Sequence, residues 1–287
     1  MKRLIVNFIR SVWATTTGRV GLVVVALCAL LAIVGPVIAP YDPMARNYGE
    51  GEKLIRLASP SMKHWLGTTL MGQDILSQML WGARSAMIVG GLTALATVAI
   101  GLNVGLIAGY SRGRTDAWLM RITDIFLGLP FLPFILVVLS MTGRNVYMTI
   151  FAMTIVMWRS TSRVIRAQVL SLREMPYVAA ARISGASDIQ IIYREIAPNV
   201  MPLALVSGTL ALAWAIVTEA SIGFLGFGDP LRVSWGSMLC DAYASQVMYQ
   251  ALWWVLPPGV AIMVLVTAVY FIGRTYEEVV NPRLRGI

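Results

Sequence analysis

Glu219 carries the most chemistry in this 287-residue chain, because it is a carboxylate set inside an apolar run, residues 201–227. Ionisable groups are costly to keep in such a run and point by default to function. Glu219, with Phe224 close behind it and glycines at 223, 226 and 228, is therefore a candidate for the wall of a translocation path or a gate. A hydrogen bond from Glu219 to a neighbouring helix fits equally well, since polar contacts commonly join membrane helices. Asp124 follows Arg121 at i, i+3, the spacing of a local ion pair. Other reactive groups are sparse. His64 is the only histidine, with no cysteine or histidine beside it, and Cys28 and Cys240 lie far apart. No metal site and no disulfide framework are expected from them. No pair of acid and base groups shares one depth, as an enzyme requires. No G-x-x-x-x-G-K-[ST] phosphate loop occurs, the lysines being Lys2, Lys53 and Lys63. The expectation is a chain that is not an enzyme and binds no cofactor of its own.

What must position these residues is a lipid-embedded scaffold. Hydrophobic residues make up 57% of the chain and charged ones 13%, with mean hydropathy +0.72, which exceeds what a soluble core of this size needs. The net charge of +9 does not indicate nucleic acid, because the basic residues fall between apolar runs and form no stripe on a soluble surface. Backbone groups in lipid must bond internally, so each long apolar run is read as a helix. The runs are residues 20–39, 85–110, 119–141, 146–162, 201–227 and 251–272, which predicts an all-α polytopic membrane protein with six transmembrane helices. The first run is too long for a signal-peptide core, roughly 7–15 residues, and is expected to be retained. The fourth is short and is expected to rely on Arg144 and Arg159 snorkelling at its ends. Pro130 with Pro133, and Pro257 with Pro258, are expected to kink the third and sixth runs. With both termini inside, sixteen of the 23 basic residues lie on the cytoplasmic side, which gives the N-in/C-in orientation.

Three further features follow. An outer segment, 40–84, and an inner one, 163–199, are too long to be turns. The inner one parses as a helix beginning near Pro176, a left-handed turn at Gly185, and a second helix capped by Ser187 or Asp188 with Ile189, Ile192 and Ile196 on one face, stopped by Pro198. Ala179, Ala180 and Ala181 give the first helix a small-residue surface that another backbone can approach closely. A hairpin lying on lipid is the alternative. Gly101-x-x-x-Gly105-x-x-x-Gly109 provides a second small-residue face, for packing within this chain or on a partner subunit.

The inner segment resembles the EAA loop of ABC importer permeases: Ala180 and Ala181, Gly185 six residues after the motif's start, and Pro198 thirteen residues after that glycine stand at matching places. Ala179 replaces the motif's glutamate, Glu195 its isoleucine and Ala197 its leucine. In the outer segment Gly67, Thr68, Gly72, Asp74, Leu76, Ser77, Gly82, Ala83 and Arg84 resemble the dipeptide and oligopeptide permease C subunits, with Thr69 and Gln73 where that family has aspartate and arginine. The stretch from Glu219 to Gly228, then Ser234-Trp-Gly236, and the tail Asn281-Pro-Arg-Leu-Arg285 are similar to the same family.

The resemblance implies a permease subunit of an ATP-driven importer in a prokaryotic inner membrane, forming half of a path for peptides. Tyr177, Ala179, Ala180, Ala181, Gly185, Ala186, Asp188 and Pro198 would then form the coupling helix seated in a groove of the ATPase. Because Ala179 replaces the glutamate, docking would rest on small-residue packing. The implied partners are a second, B-type permease subunit, two ATPase subunits or domains holding ATP and magnesium, an extracytoplasmic solute-binding protein, and lipid. Similar machinery serves oligosaccharides, nickel, glutathione or opines, and the residues do not choose among these cargoes. A secondary transporter would want coupling carboxylates in two repeated halves, and a channel would want charge rings or a filter loop; neither pattern is evident. The organisation expected is residues 1–84 (first helix and outer loop), 85–273 (five-helix core with the coupling loop, 163–199) and 274–287 (cytoplasmic tail).

Overall fold

The computed structural model describes residues 2–49 and 53–280, so the motif at 281–285 lies outside the described residues. Among them no strand forms; the only extended pairing is two isolated bridges, Tyr48 with Leu54 and Thr68 with Asp74. The helices are α1 (Lys2–Trp13), α2 (Thr16–Ile38), α3 (Ile75–Tyr110), α4 (Arg114–Gly128), α5 (Phe131–Thr142), α6 (Val146–Leu172), α7 (Pro176–Ile183), α8 (Asp188–Gln190), α9 (Ala197–Phe224), α10 (Trp235–Ala244) and α11 (Leu252–Val280). A π-helical turn, Ile191–Ile196, joins α8 to α9.

Four segments are long and apolar enough to cross a bilayer: Thr16–Ile38, Ile75–Tyr110, Asp188–Phe224 and Leu252–Val280. The third predicted run is not one helix. It forms α4 and α5, which meet at 88°. Pro130 prevents the residue before it, Leu129, from staying helical and cannot continue the hydrogen-bond ladder, so the expected kink becomes a break. α6, at 27 residues, is long enough to cross but carries Arg159, Arg163 and Arg166 in its second half. The arginines expected to snorkel instead fold back onto protein. Arg144 donates to Gly226 O (2.8 Å) and Arg159 to Phe126 O (3.1 Å), a carbonyl of the last turn of α4 that also accepts from Leu129 N (3.4 Å).

Other expectations are corrected by the same hydrogen-bond accounting. Asp124 pairs with Arg163 of α6 rather than with Arg121, because α4 lies against α6 and turns that carboxylate across the interface. Pro198 does not stop a helix. The preceding turn bonds i to i+5, with Ala197 N reaching Ile192 O, so the proline enters where the ladder changes register and its missing N–H breaks nothing. α3 begins at Ile75, earlier than the apolar run read from residue 85. Asp74 caps that helix, accepting from Ser77 N (2.8 Å) and Ser77 Oγ (2.7 Å), while His64 Nδ1 lies 2.9 Å from its other oxygen. Thr69 and Gln73, the two departures from the family pattern, touch each other: Thr69 Oγ1 accepts from Gln73 N at 3.1 Å. A neutral pair stands where the family carries opposite charges.

α3 is the central post. It packs most extensively on α6, then on α9 and α2, and α11 closes the bundle against α9 and α2. α2 is mostly exposed, with Val23, Leu27, Leu30, Ile33 and Val37 turned outward, as expected of a lipid-facing helix. α10, which hydropathy missed because it is short, lies between α9 and α11 with Trp235 buried and its indole N–H donating to Met79 O (3.0 Å).

Candidate functional site

The inner segment is a helix, a turn and a helix. Pro176 sits in the first turn of α7, where its missing N–H has no partner to lose. Gly185 ends the helix at φ +84° in a Schellman turn: Gly185 N donates to Arg182 O and Ala186 N to Ala181 O, both at 3.1 Å. Ser187 and Gln190 then form a reciprocal capping box that starts the next helix.

Burial divides the candidate coupling residues into two sets. Val178, Ala181 and Ala186 pack against Ile191, Ile192 and Ile196, which fixes the hairpin to its own bundle. Ala179, Ala180, Ile183, Gly185 and Ile189 face outward, with Ile183 87% and Ile189 71% exposed. Two large apolar side chains flanking a patch of small residues present a knob that solvent alone does not favour. Tyr177 hydrogen-bonds at 3.4 Å with Asn199, so it braces α7 against α9. Asp188 accepts from Tyr110 Oη at 2.7 Å and so ties the turn to the end of α3. Pro198 lies at the start of α9, beyond the exposed knob.

The residues that hold this hairpin were not singled out from the sequence. Arg173 donates to Gly109 O (2.7 Å), Arg182 reaches Tyr110 Oη (3.1 Å), and Glu174 pairs with both Arg173 (3.1 Å) and Arg112. Most partners are 60 to 80 positions apart, so no local pattern reveals them. The hydrogen bonds from Arg173 and then Arg112 hold the Glu174 carboxyl below the usual carboxylate range. A depressed carboxyl stabilises the fold above its ordinary pKa, and that contribution is lost as pH falls through the depressed value. The Glu174 side chain is exposed, so the effect is local rather than global. In wild type, intrinsic-rate-corrected hydrogen exchange of the 176–183 amides is expected to hold steady down to about pH 4 and to quicken only as pH falls further, beneath the ordinary carboxylate range. Glu174→Gln is expected to make it fast throughout, and an unchanged profile in the variant would exclude the clamp.

Glu219 is buried, 7% exposed, on the last turns of α9. It accepts from Ser85 Oγ of α3 at 3.0 Å and lines a pocket with Asp229, Arg232 and Ser234. That pocket has room for about one water, at roughly 20 Å³. The carboxylate therefore bonds a neighbouring helix near the C-terminal end of α9 and faces no space that would pass a solute in this conformation. Phe224 lies two-fifths exposed against Tyr243, ring centroids 5.8 Å apart. Gly101, Gly105 and Gly109 face α6 of the same chain, against Thr161, Ile165 and Val169.

Residues 101–286 match the family described as binding-protein-dependent transport system inner membrane component, and residues 12–60 match the N-terminal TM domain of oligopeptide transport permease C. The chain is similar to the oligopeptide transport system permease protein OppC of Bacillus subtilis, with 33% identity over 93% of this chain and 85% of that protein. It is also similar to the dipeptide transport system permease protein DppC of Alkalihalophilus pseudofirmus, with 33% identity over 93% and 86%. Among solved structures it resembles a chain of the inward-facing MetNI methionine ABC transporter, with TM-score 0.56 and 19% identity, covering 71% of this chain and 95% of that one.

Proposed function

The chain belongs to the family of binding-protein-dependent transport system inner membrane components, and from that membership we propose that it forms half of the peptide path of an ATP-driven importer. It is a multi-pass inner-membrane protein and an ABC permease subunit. The peptide cargo is supported by the relatives that carry oligopeptides and dipeptides over nearly the same length of chain. In this reading the chain crosses six times, α4 with α5 making a broken third crossing and α6 the fourth, and both termini and the α7 hairpin are cytoplasmic. The charge asymmetry of the loops supports that orientation.

The observation that carries the coupling role is the division of α7: one face is locked into the bundle and the other is small, apolar and bare. An ATPase groove would receive Ala179, Ala180 and the Gly185 turn, with Ile183 and Ile189 at the rim, and movement there would reach the bundle through Ile191, Ile192 and Ile196. Tyr177 and Asp188 serve this by bracing the hairpin, and Pro198 stands in the first turn of the helix that carries movement onward. A B-type permease subunit would complete the path, two ATPase subunits would hold ATP and magnesium, and an extracytoplasmic binding protein would deliver cargo.

Purified alone, the chain is expected to hydrolyse no ATP; hydrolysis, stimulated by loaded binding protein, is expected only once the second permease and the ATPase subunits are present. Colorimetric phosphate release in nanodiscs measures both. Hydrolysis by the isolated chain would overturn this assignment.

A further inference from the structure

A cavity of about 560 Å³ opens between α3, α5, α6 and α9, within the size range of small-molecule sites. It differs from the Glu219 pocket in both size and charge. Its wall includes Arg159, with Thr97 and Thr161 among its polar neighbours and Phe131 and Trp214 among its apolar ones. Along α6 at 1.5 Å per residue, Arg159 stands roughly 20 Å from the Asn145 cap, near the middle of the helix.

Arg159 is also the unmatched arginine of its helix segment. Arg163 pairs with Asp124 and Arg166 with Asp116, whereas no carboxylate among the described residues pairs with Arg159. One of its nitrogens donates to Phe126 O, and its guanidinium lies 5.9 Å from the Phe131 ring centroid. Its Nε is buried without a partner, and so is Thr97 Oγ1 on the cavity's α3 wall. An unpaired donor on a buried cation is costly, and a guanidinium fork is shaped to receive a carboxylate in two parallel bonds. Access is open, because Ser160, Val164 and Trp214 on the cavity's edge are exposed.

We propose that this cavity is an anion subsite in which Arg159 receives the C-terminal carboxylate of the passing peptide. The inference rests on the peptide reading above and adds to it the group that is recognised. A phospholipid phosphate shares the chemistry, and comparison of a free-acid peptide with its amide separates the two sources. The carboxylate would meet the side of the Arg159 guanidinium that lines the cavity, and the contact would hold cargo part-way along the path.

The complete transporter, reconstituted in proteoliposomes with saturating binding protein, tests this with a peptide and its C-terminal amide, chosen so that the binding protein retains both. The binding protein's own preference then cancels between variants. Arg159→Gln is expected to lower kcat/KM for the free acid about tenfold or more, as loss of a charge-assisted contact should, and to change the amide by less than about twofold. Arg159→Lys, which keeps the charge and loses the fork, is expected to fall between wild type and Arg159→Gln for the acid and to leave the amide unchanged. Equal losses on acid and amide would mean that Arg159 only caps α4, and would overturn the subsite. So would an unchanged acid-to-amide ratio, with or without loss of a co-purifying phospholipid by mass spectrometry. Wild-type transporter that carries neither peptide would instead remove the peptide reading, and the subsite with it.

Discussion

Gly185→Pro is expected to reach the membrane at wild-type levels and to abolish cargo-stimulated ATP hydrolysis by the assembled transporter. Gly185 sits at φ +84°, and its N–H donates to Arg182 O at 3.1 Å. Proline locks φ near −65° and has no N–H, so it removes the bond and forbids the turn, at about 3 kcal/mol or more by comparison with a proline inside a helix. Nothing lies within 4 Å of where a Cβ would project, so the damage is conformational and confined to the hairpin. Gly185→Ala isolates that contribution. It keeps the N–H and suffers only the left-handed strain, about 1–2 kcal/mol, so it should retain partial activity. Ala180→Arg approaches the same surface differently. Ala180 is exposed, so the larger side chain leaves the bundle intact and obstructs only what docks there. Normal transport by both Gly185→Pro and Ala180→Arg would exclude the coupling role of α7.

Gly105→Leu is expected to prevent folding. A Cβ at Gly105 would lie 2.7 Å from Ser162 O and 2.7 Å from Ile165 Cβ of α6. Backbone oxygen cannot rotate away as a side-chain tip can, so α3 and α6 would have to separate along their longest contact. Even Gly105→Ala should lower the melting temperature in detergent, by an overpacking cost of about 1–3 kcal/mol. Gly91 of the same helix is the control, since a Cβ there meets nothing within 4 Å. Gly91→Ala should stabilise by up to about 1 kcal/mol through helix propensity alone. Equal melting of the two alanine variants, followed by size-exclusion fluorescence, would show that close α3–α6 approach is not what the glycines provide.

The two glycine sites differ in what the sequence showed. At Gly185 the signal was local: Pro176 ahead, a run of helix formers, then a glycine, and the turn formed as that order predicts. At Gly101, Gly105 and Gly109 the period of four showed that something approaches closely but not what, because α6 is brought there only by the fold. The same limit explains the misreading of Asp124, whose i, i+3 neighbour was visible while its actual partner, Arg163, was distant in sequence. α10 was missed because hydropathy over a long window does not register a short helix that is apolar on one side.

The amino-acid sequence by itself determined that the chain is helical, that it lives in lipid, and where its inner hairpin turns, since these follow from hydropathy, backbone accounting and one left-handed glycine. Tertiary structure alone decided which face of α7 is bare, that Glu219 bonds Ser85 beside a pocket for about one water, and that Arg159 borders an open cavity without a carboxylate. The reason is physical. Local signals fix φ, ψ and the need for apolar surroundings, while a charged or small side chain takes its role from whatever group the packed bundle brings opposite it.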